Sequence, residues 1–249
     1  MTALVRLRVW SGVLIPLLLL LYLALATSTL EPLLSMLSPP GAPALYTRNS
    51  LSALIGWHLL LVLLAIAAAT LIAVPAAILV SRPGGADFLP LARSLANLGQ
   101  TLPPVAVLAL AVPAVGFGSW PTLIALFLYG LLPIFENTLA GLTQVSPEVK
   151  EAARGIGMGP LQRLWQIELP LALPLILTGI RLSVIISIGT ATVGSTVAAK
   201  GLGEVIIAGL LTDNLAFVLQ GGLIVALMAM SIDALFRHVE SGLTPVRGD

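Results

Sequence analysis

Residues 146–170, SPEVKEAARGIGMGPLQRLWQIELP, form a charged segment between two long apolar runs. Ser146 followed by Pro147 indicates a helix N-terminus, because a serine side chain accepts from free backbone N–H groups and proline needs no N–H in the first turn. The acidic Glu148 and Glu151 also indicate a helix N-terminus here, because negative side chains are favoured where the helix dipole is positive. We therefore expect a short helix in water here, while the apolar runs beside it lie in lipid.

Glycine and proline divide this segment into two pieces. The first helix is expected to stop at three glycines, at positions 155, 157 and 159. Pro160 can begin a second short helix, and Pro170 is expected to limit it, because proline interrupts helical hydrogen bonding. The prediction is a compact two-piece helical element exposed on one side of a membrane.

The composition places the chain in a membrane. Of its 249 residues, 58% are hydrophobic and 9% are charged, whereas a soluble domain carries about 25% charged residues. The net charge of +1 offers no basic face for nucleic acid. The chain has no cysteine, and its two histidines, His58 and His238, are far apart in sequence. We therefore expect no metal centre and no catalytic residue in this chain.

The apolar runs predict an all-α integral membrane protein with six transmembrane helices. The first run follows Arg6 and Arg8 and resembles a signal peptide with a cleavage site around Ala24-Leu25-Ala26, but its length of about 20 residues favours an uncleaved helix. Residues 31–50 are expected to form an external loop with little regular structure. The spans are expected near residues 13–25, 51–80, 94–115, 120–141, 171–198 and 216–235.

The distribution of basic residues orients these spans, because cytoplasmic loops carry an excess of lysine and arginine. With both termini inside, the outer loops hold only Arg48 and Lys200, and Arg181 lies within a span. The charged segment is then cytoplasmic. Nine basic residues lie inside: Arg6, Arg8, Arg82, Arg93, Lys150, Arg154, Arg163, Arg237 and Arg247.

Polar residues within the spans are candidates for a pathway or for an intramembrane polar network. Gln100 and Thr101 precede Pro103-Pro104, where the helix is expected to bend; they either line a pathway or satisfy carbonyls that the prolines leave free. Glu136 is a functional candidate because a buried charge is costly, although it is close enough to the cytoplasmic side to reach water or pair with an arginine.

Arg181 and His58 have similar alternatives. Exposing the charged Arg181 side chain to lipid would cost free energy, so Arg181 either pairs with a carboxylate or lines the pathway. The nearest candidate carboxylates are Glu136 and Glu168. For His58, beside Trp57, a satisfied or interfacial histidine is favoured over a substrate contact.

One pattern in the charged segment, EAA-x3-G-x9-I-x-LP, has every fixed position occupied. It resembles the cytoplasmic coupling loop of the permease subunits of binding-protein-dependent ABC importers. Small alanines allow close approach to a partner groove, and Val149 and Ile156 offer apolar anchors. The alternative is an amphipathic helix lying on the bilayer surface. The residues that the resemblance assigns to coupling with an ATPase are Glu151, Ala152, Ala153, Gly157, Ile167, Leu169 and Pro170.

Further stretches are similar to permeases of the glycine betaine, choline and carnitine osmoprotectant group. They are QTLPPVAVLALAVP (100–113), LYGLLPIFENTLAGL (128–142), the run 169–203 and EVIIAGL (204–210). The chain departs from these relatives at Glu136, where a basic residue is common, and at Lys200, where a small residue is common. The resemblance implies a type I importer fold, with an N-terminal helix and loop at 1–49, the permease domain at 50–236 and a cytoplasmic tail at 237–249.

The resemblance also implies partners in a bacterial inner membrane: cytoplasmic ABC ATPase subunits, a second permease that is identical or paralogous, and an external or periplasmic solute-binding protein. The chain has no G-x-x-x-x-G-K-[ST], so ATP and Mg are expected on the ATPase, with no cofactor on this chain. No fused solute-binding domain is expected either. ATP-driven closure of the ATPases would move the coupling elements and alternate the access of the pathway.

Other functions stay open at this point. One alternative is an ABC permease for another small solute, such as an amino acid. A stand-alone secondary transporter would need a carboxylate deep in the bilayer, and the candidates Glu136 and Asp233 lie towards the inner edge. A membrane-embedded hydrolase lacks a recognisable set of nucleophile, base and orienting residue.

Overall fold

The computed structural model describes residues 3–243, with side chains described from residue 12 to residue 240, and this part of the chain is helical without a strand. The predicted all-α class is therefore confirmed. The helices are α1 Ala3–Leu25, α2 Glu31–Leu34, α3 Leu51–Val80, α4 Leu89–Thr101, α5 Pro104–Val115, α6 Ser119–Thr143, α7 Pro147–Gly155, α8 Pro160–Arg163, α9 Leu169–Ala191, α10 Gly203–Leu211 and α11 Leu215–Leu243.

Four helices in the described part of the chain are long and apolar enough to cross a membrane: Leu51–Val80, Ser119–Thr143, Pro160–Val197 and Leu215–Glu240. Two bent pairs bring the number to as many as six. One pair joins Gly12–Leu25 to Thr27–Leu37 at 88°, and the other joins Ala86–Thr101 to Pro104–Val115 at 97°. The second bend lies at Pro103-Pro104, where the sequence predicted it, because neither proline can donate a helical hydrogen bond.

Three expectations need correction. Pro170 does not end the helix that begins at Pro160, because a π-helical turn at Leu164–Glu168 joins α8 directly to α9. Inside a helix, a proline ring clashes with the carbonyl four residues earlier. For Pro170 that carbonyl belongs to Gln166, which lies within the wider π turn. The predicted outer loop also has helical turns over residues 27–37, and α10 forms a helix that was not predicted from the sequence. Arg247 lies outside the described residues.

Helix α6 packs between α3 and α9 through small residues. A Cβ on Gly179 of α9 would lie 2.7 Å from the Pro133 carbonyl oxygen of α6, and one on Gly141 would lie 3.0 Å from the Ala172 side chain. The Ser183 hydroxyl donates to the Gly130 carbonyl oxygen at 3.0 Å. Since lipid offers no hydrophobic force between helices, such close backbone approach and interhelical hydrogen bonds hold the bundle together.

The loop after α2 is fastened to α11 by buried polar contacts. The Tyr46 backbone N–H donates to Gln220 Oε1 at 3.0 Å, and Asn214 Nδ2 donates to the Pro43 carbonyl oxygen at 2.9 Å. The Tyr46 ring also meets Phe217 edge to face, with centroids 5.6 Å apart. Each of the two hydrogen bonds satisfies a backbone group that has no partner within a helix, so the irregular loop keeps a defined position.

Candidate functional site

Helix α7 begins as the sequence predicted. Ser146 has an extended backbone, and its hydroxyl accepts from the Val149 N–H at 3.4 Å, with Pro147 in the first turn. The pKa of Glu148 lies below its ordinary value, because its carboxylate accepts hydrogen bonds from its own backbone N–H and from the Ser146 hydroxyl. A negative charge is therefore held at the positive end of the helix dipole.

Gly157 ends α7 in a left-handed conformation. Its φ is +84°, and its N–H donates to the Arg154 carbonyl oxygen at 2.9 Å, while the Met158 N–H donates to the Ala153 carbonyl oxygen at 3.0 Å. These two bonds close the last turn with the glycine in the position where a side chain is disfavoured. The glycine of the EAA pattern is thus required by the backbone conformation. Close packing does not require it, because a Cβ there would meet no atom within 4 Å.

The EAA pattern divides into an exposed part and a packed part. Glu151 and Ala152 are exposed, and so is the apolar Ile156 at 79%, whereas Ala153 is buried against the body of the protein. In the second part, Leu169 packs against the buried cluster of Leu142, Ala172 and Ile176, Ile167 is half-buried, and Pro170 is exposed. The exposed part offers a surface to a partner, and Leu169 fixes that surface to α6 and α9.

Two contacts hold the α7–α8 element against the long helices, and neither was predicted from the sequence. Lys150 Nζ donates to the Leu142 carbonyl oxygen at 3.2 Å, at the negative end of α6. Glu168 is buried, with its carboxylate 2.6 Å from Arg82 Nη1 and 3.8 Å from Arg163 Nε. A buried carboxylate needs compensating charge, so these contacts tie α8 to the end of α3.

Arg181 is paired, but the partners expected from the sequence were wrong. Its guanidinium lies 3.6 Å from Asp233 and 3.4 Å from Glu240, both on α11. Glu136 and Glu168 are paired elsewhere. The packing of α11 against α9 supplies the two carboxylates, and hydropathy alone does not indicate which helices are neighbours.

Glu136 forms a bidentate pair with Arg93. Nε of the arginine lies 2.5 Å from Oε1, and Nη2 lies 3.0 Å from Oε2. Pairing with an arginine was one of the two interpretations given by the sequence. Both side chains are at least one-third exposed, so solvent reaches this pair.

Gln100 and Thr101 satisfy carbonyl groups near the helix break. Pro133 has no N–H, which leaves the Tyr129 carbonyl without its helical partner, and Gln100 Nε2 donates to that oxygen at 2.9 Å. In return, the Tyr129 hydroxyl donates to the Leu102 carbonyl oxygen at the break. Thr101 donates to the carbonyl of Leu98 within α4. Their place on a pathway stays a prediction.

His58 is a satisfied buried histidine. Its Nδ1 accepts from the Leu202 N–H at 3.3 Å, which makes Nε2 the protonated nitrogen, and Nε2 donates to the Ile188 carbonyl oxygen at 2.9 Å. Both ring nitrogens are used in holding the N-terminal part of α3 to α9 and to the start of α10. This confirms the structural interpretation of His58.

Residues 73–245 match the family described as the inner membrane component of binding-protein-dependent transport systems. The chain belongs to this family. It is a permease subunit of an ABC importer, as the coupling pattern indicated. Membership implies a solute-binding protein and an ATPase as partners, and a place in a membrane.

Curated relatives of this permease are about the same length. It is 42% identical over 188 residues to the osmoprotectant import permease protein OsmY of Salmonella typhimurium, covering 76% of this chain and 80% of the relative. It is 37% identical to the choline transport system permease protein OpuBB of Bacillus subtilis, with 76% and 86% covered. With the glycine betaine/carnitine/choline permease protein OpuCB of the same organism it shares 36% identity, with 76% and 87% covered.

A solved structure of the MetNI methionine ABC transporter, in an inward-facing conformation, has the same fold. The TM-score is 0.70 at 19% identity, with 78% of this permease and 96% of that chain covered. At this level of identity the likeness concerns the fold alone. It confirms the predicted type I permease fold.

Proposed function

We propose that this permease carries an osmoprotectant, such as glycine betaine or choline, across the bacterial inner membrane. The proposal is supported by the three relatives that are 36–42% identical, since each is described as transporting osmoprotectants or quaternary ammonium solutes. Aromatic cages commonly bind such cations, but only 5% of this sequence is aromatic. The choice of solute is therefore assigned to an external binding protein that delivers it to the pathway.

The ATPase is proposed to dock on the exposed part of α7. Glu151 offers a charge, Ala152 allows close approach, and the exposed Ile156 offers an apolar anchor. ATP and Mg belong to that partner, and no cofactor is assigned to this chain. Ile167 and Leu169 position the docking helix from the packed side, and the exposed Pro170 follows them at the start of α9.

The observation that carries this mechanism is the unbroken helical path from Pro160 to Ala191. Displacement of α7 by a closing ATPase is transmitted into the membrane along this path. The buried contacts of Glu168 make α8 move together with the end of α3. Two such permeases, identical or paralogous, would alternate the access of a pathway between them, with their termini in the cytoplasm.

The test is reconstitution of this permease in proteoliposomes with its ATPase and the binding protein. Uptake of labelled glycine betaine, choline, carnitine and methionine is measured with ATP, together with ATP hydrolysis. The proposal predicts hydrolysis stimulated by the loaded binding protein, and uptake of one or more of the quaternary ammonium solutes. Uptake of methionine alone would refute the proposed substrate class. Uptake without ATP or ATPase would overturn the coupled mechanism.

A further inference from the structure

A basic cavity of about 660 Å³ lies between the end of α3 and the α7–α8 element. Four cationic side chains line it, against the single carboxylate of Glu168. The lining therefore carries an excess of three positive charges, which favours an anion. The four cations are Arg82, Lys150, Arg154 and Arg163.

Two of these cations retain unused hydrogen-bond donors. Arg82 Nη2 and Arg163 Nε are both buried and have no hydrogen-bond partner among the described residues. Glu168 does not satisfy Arg163 Nε, because its oxygen is 3.8 Å away, beyond hydrogen-bond distance. Buried donors are normally paired. An anion with several oxygens, such as a phosphate group, supplies acceptors for both.

An apolar groove of about 540 Å³ adjoins the basic cavity. Residues 70–75 of α3 line the groove, and residues 78–83 line the cavity. On the other side, the groove is lined from residue 165 to residue 176 and the cavity from 160 to 168. The two spaces therefore follow one another between the same pair of helices, over about 15 Å along α3 at 1.5 Å per residue.

We propose that the cavity and the groove together bind one anionic phospholipid. The phosphate lies among the four cations, and an acyl chain lies in the groove against Leu71, Val74 and Leu173. Trp165 lines the groove beside the cavity and is 68% exposed, and tryptophan is the residue type enriched where lipid headgroups lie. A free phosphate would leave the groove empty, whereas a neutral lipid would leave the positive charge without a counter-charge. The cytoplasmic leaflet is rich in anionic lipid.

Arg154 and Leu173 allow the two parts of the site to be changed separately. Arg154 forms no ion pair among the described residues, so Arg154→Gln removes a cavity charge without leaving Glu168 uncompensated. Leu173→Trp fills the groove and leaves the cavity charges in place. Arg48→Gln, at an exposed residue of the loop before α3, is the matched control for the loss of one positive charge.

The experiment is thermal unfolding of the purified permease in neutral detergent, titrated with dioctanoyl-phosphatidylglycerol, dioctanoyl-phosphatidylcholine or inorganic phosphate. The proposal predicts a saturable rise in the unfolding temperature with phosphatidylglycerol only. Arg154→Gln should weaken the apparent affinity about fivefold, Leu173→Trp should weaken it too, and Arg48→Gln should leave it unchanged. Unfolding temperatures without lipid show whether each variant is folded.

Four results would overturn the proposal. The first is the lack of a shift specific to phosphatidylglycerol, that is, an equal shift with phosphatidylcholine or no shift with either lipid. The second is an equal shift with inorganic phosphate, which means a free-anion site. The third is loss of the phosphatidylglycerol shift when the permease is assembled with its ATPase, which means that the partner fills the cavity. The fourth is disulfide formation between two copies of the Leu71→Cys variant, because the groove is then covered by a second permease. The sequence has no other cysteine, so such a disulfide can only join position 71 of two copies.

Discussion

Replacing Gly157 should uncouple the permease without preventing its folding. The residue has a φ of +84°, and a left-handed residue other than glycine costs about 1–2 kcal/mol. A cost of this size lowers the population of the capped conformation at the end of α7 fivefold to thirtyfold. The cost is conformational alone, because a Cβ at this position meets no atom within 4 Å. Gly157→Ala should lower uptake and binding-protein-stimulated hydrolysis together, and Gly157→Val should lower them further.

Neighbouring glycines provide matched controls for this prediction. Gly159 has a φ of −68° and also has space for a Cβ, so Gly159→Ala adds the same methyl group without strain. Gly155→Ala, at the last residue of α7, should not weaken the helix, because alanine has the higher helix propensity. Asparagine tolerates the left-handed conformation, so Gly157→Asn should retain more activity than Gly157→Ala. Full uptake by Gly157→Val, or an equal loss in Gly159→Ala, would refute the reasoning.

Three further predictions concern stability in detergent, measured by thermal and denaturant unfolding. Glu168→Gln leaves two arginines without their buried carboxylate and should cost about 3 kcal/mol. Gly179→Ala places a Cβ 2.7 Å from a carbonyl oxygen of α6 and should cost about 1–3 kcal/mol as the helices separate. Gln100→Ala leaves the Tyr129 carbonyl without a donor and should cost about 1–3 kcal/mol.

Each of these changes has a control at a contact of the same kind that is less buried or less crowded. Arg93→Gln breaks a partly exposed ion pair and should cost much less stability than Glu168→Gln, because solvent screens the pair. Gly222→Ala adds a methyl group to α11 in open space and should not destabilise the protein, because alanine is favoured over glycine inside a helix. Thr101→Ala removes a hydroxyl that bonds within its own helix and should cost less than about 1 kcal/mol. Equal effects in a variant and its control would contradict the structural reason given.

The sequence predicts best the features that depend on local chemistry. Helix α3 occupies residues 51–80 as expected, because the run is continuously apolar and begins after the cap at Ser50. The start and the end of α7 follow from Ser146, Pro147 and the glycine at 157. The bend between α4 and α5 follows from two consecutive prolines. In each case one or two residues restrict the backbone directly.

Features that depend on neighbouring helices could not be predicted in the same way. Lipid-facing and protein-facing surfaces are both apolar, so the sequence does not show that α11 lies beside Arg181. The burial of Glu168 depends on Arg82, which is 86 residues earlier in the chain. The continuation of the helix through Pro170 depends on a π turn that has no clear sequence signal. These contacts hold the coupling element in place, and only the structure shows them.

The docking of an ATPase on α7 is tested most directly by crosslinking from adjacent positions. The natural sequence has no cysteine, so Ala152→Cys and Ala153→Cys each introduce a single thiol, the first exposed and the second buried. In the assembled transporter, the account predicts that a short thiol-reactive crosslinker joins residue 152 to the ATPase, and residue 153 much less. An assembled, active transporter in which residue 152 gives no crosslink to the ATPase would contradict it.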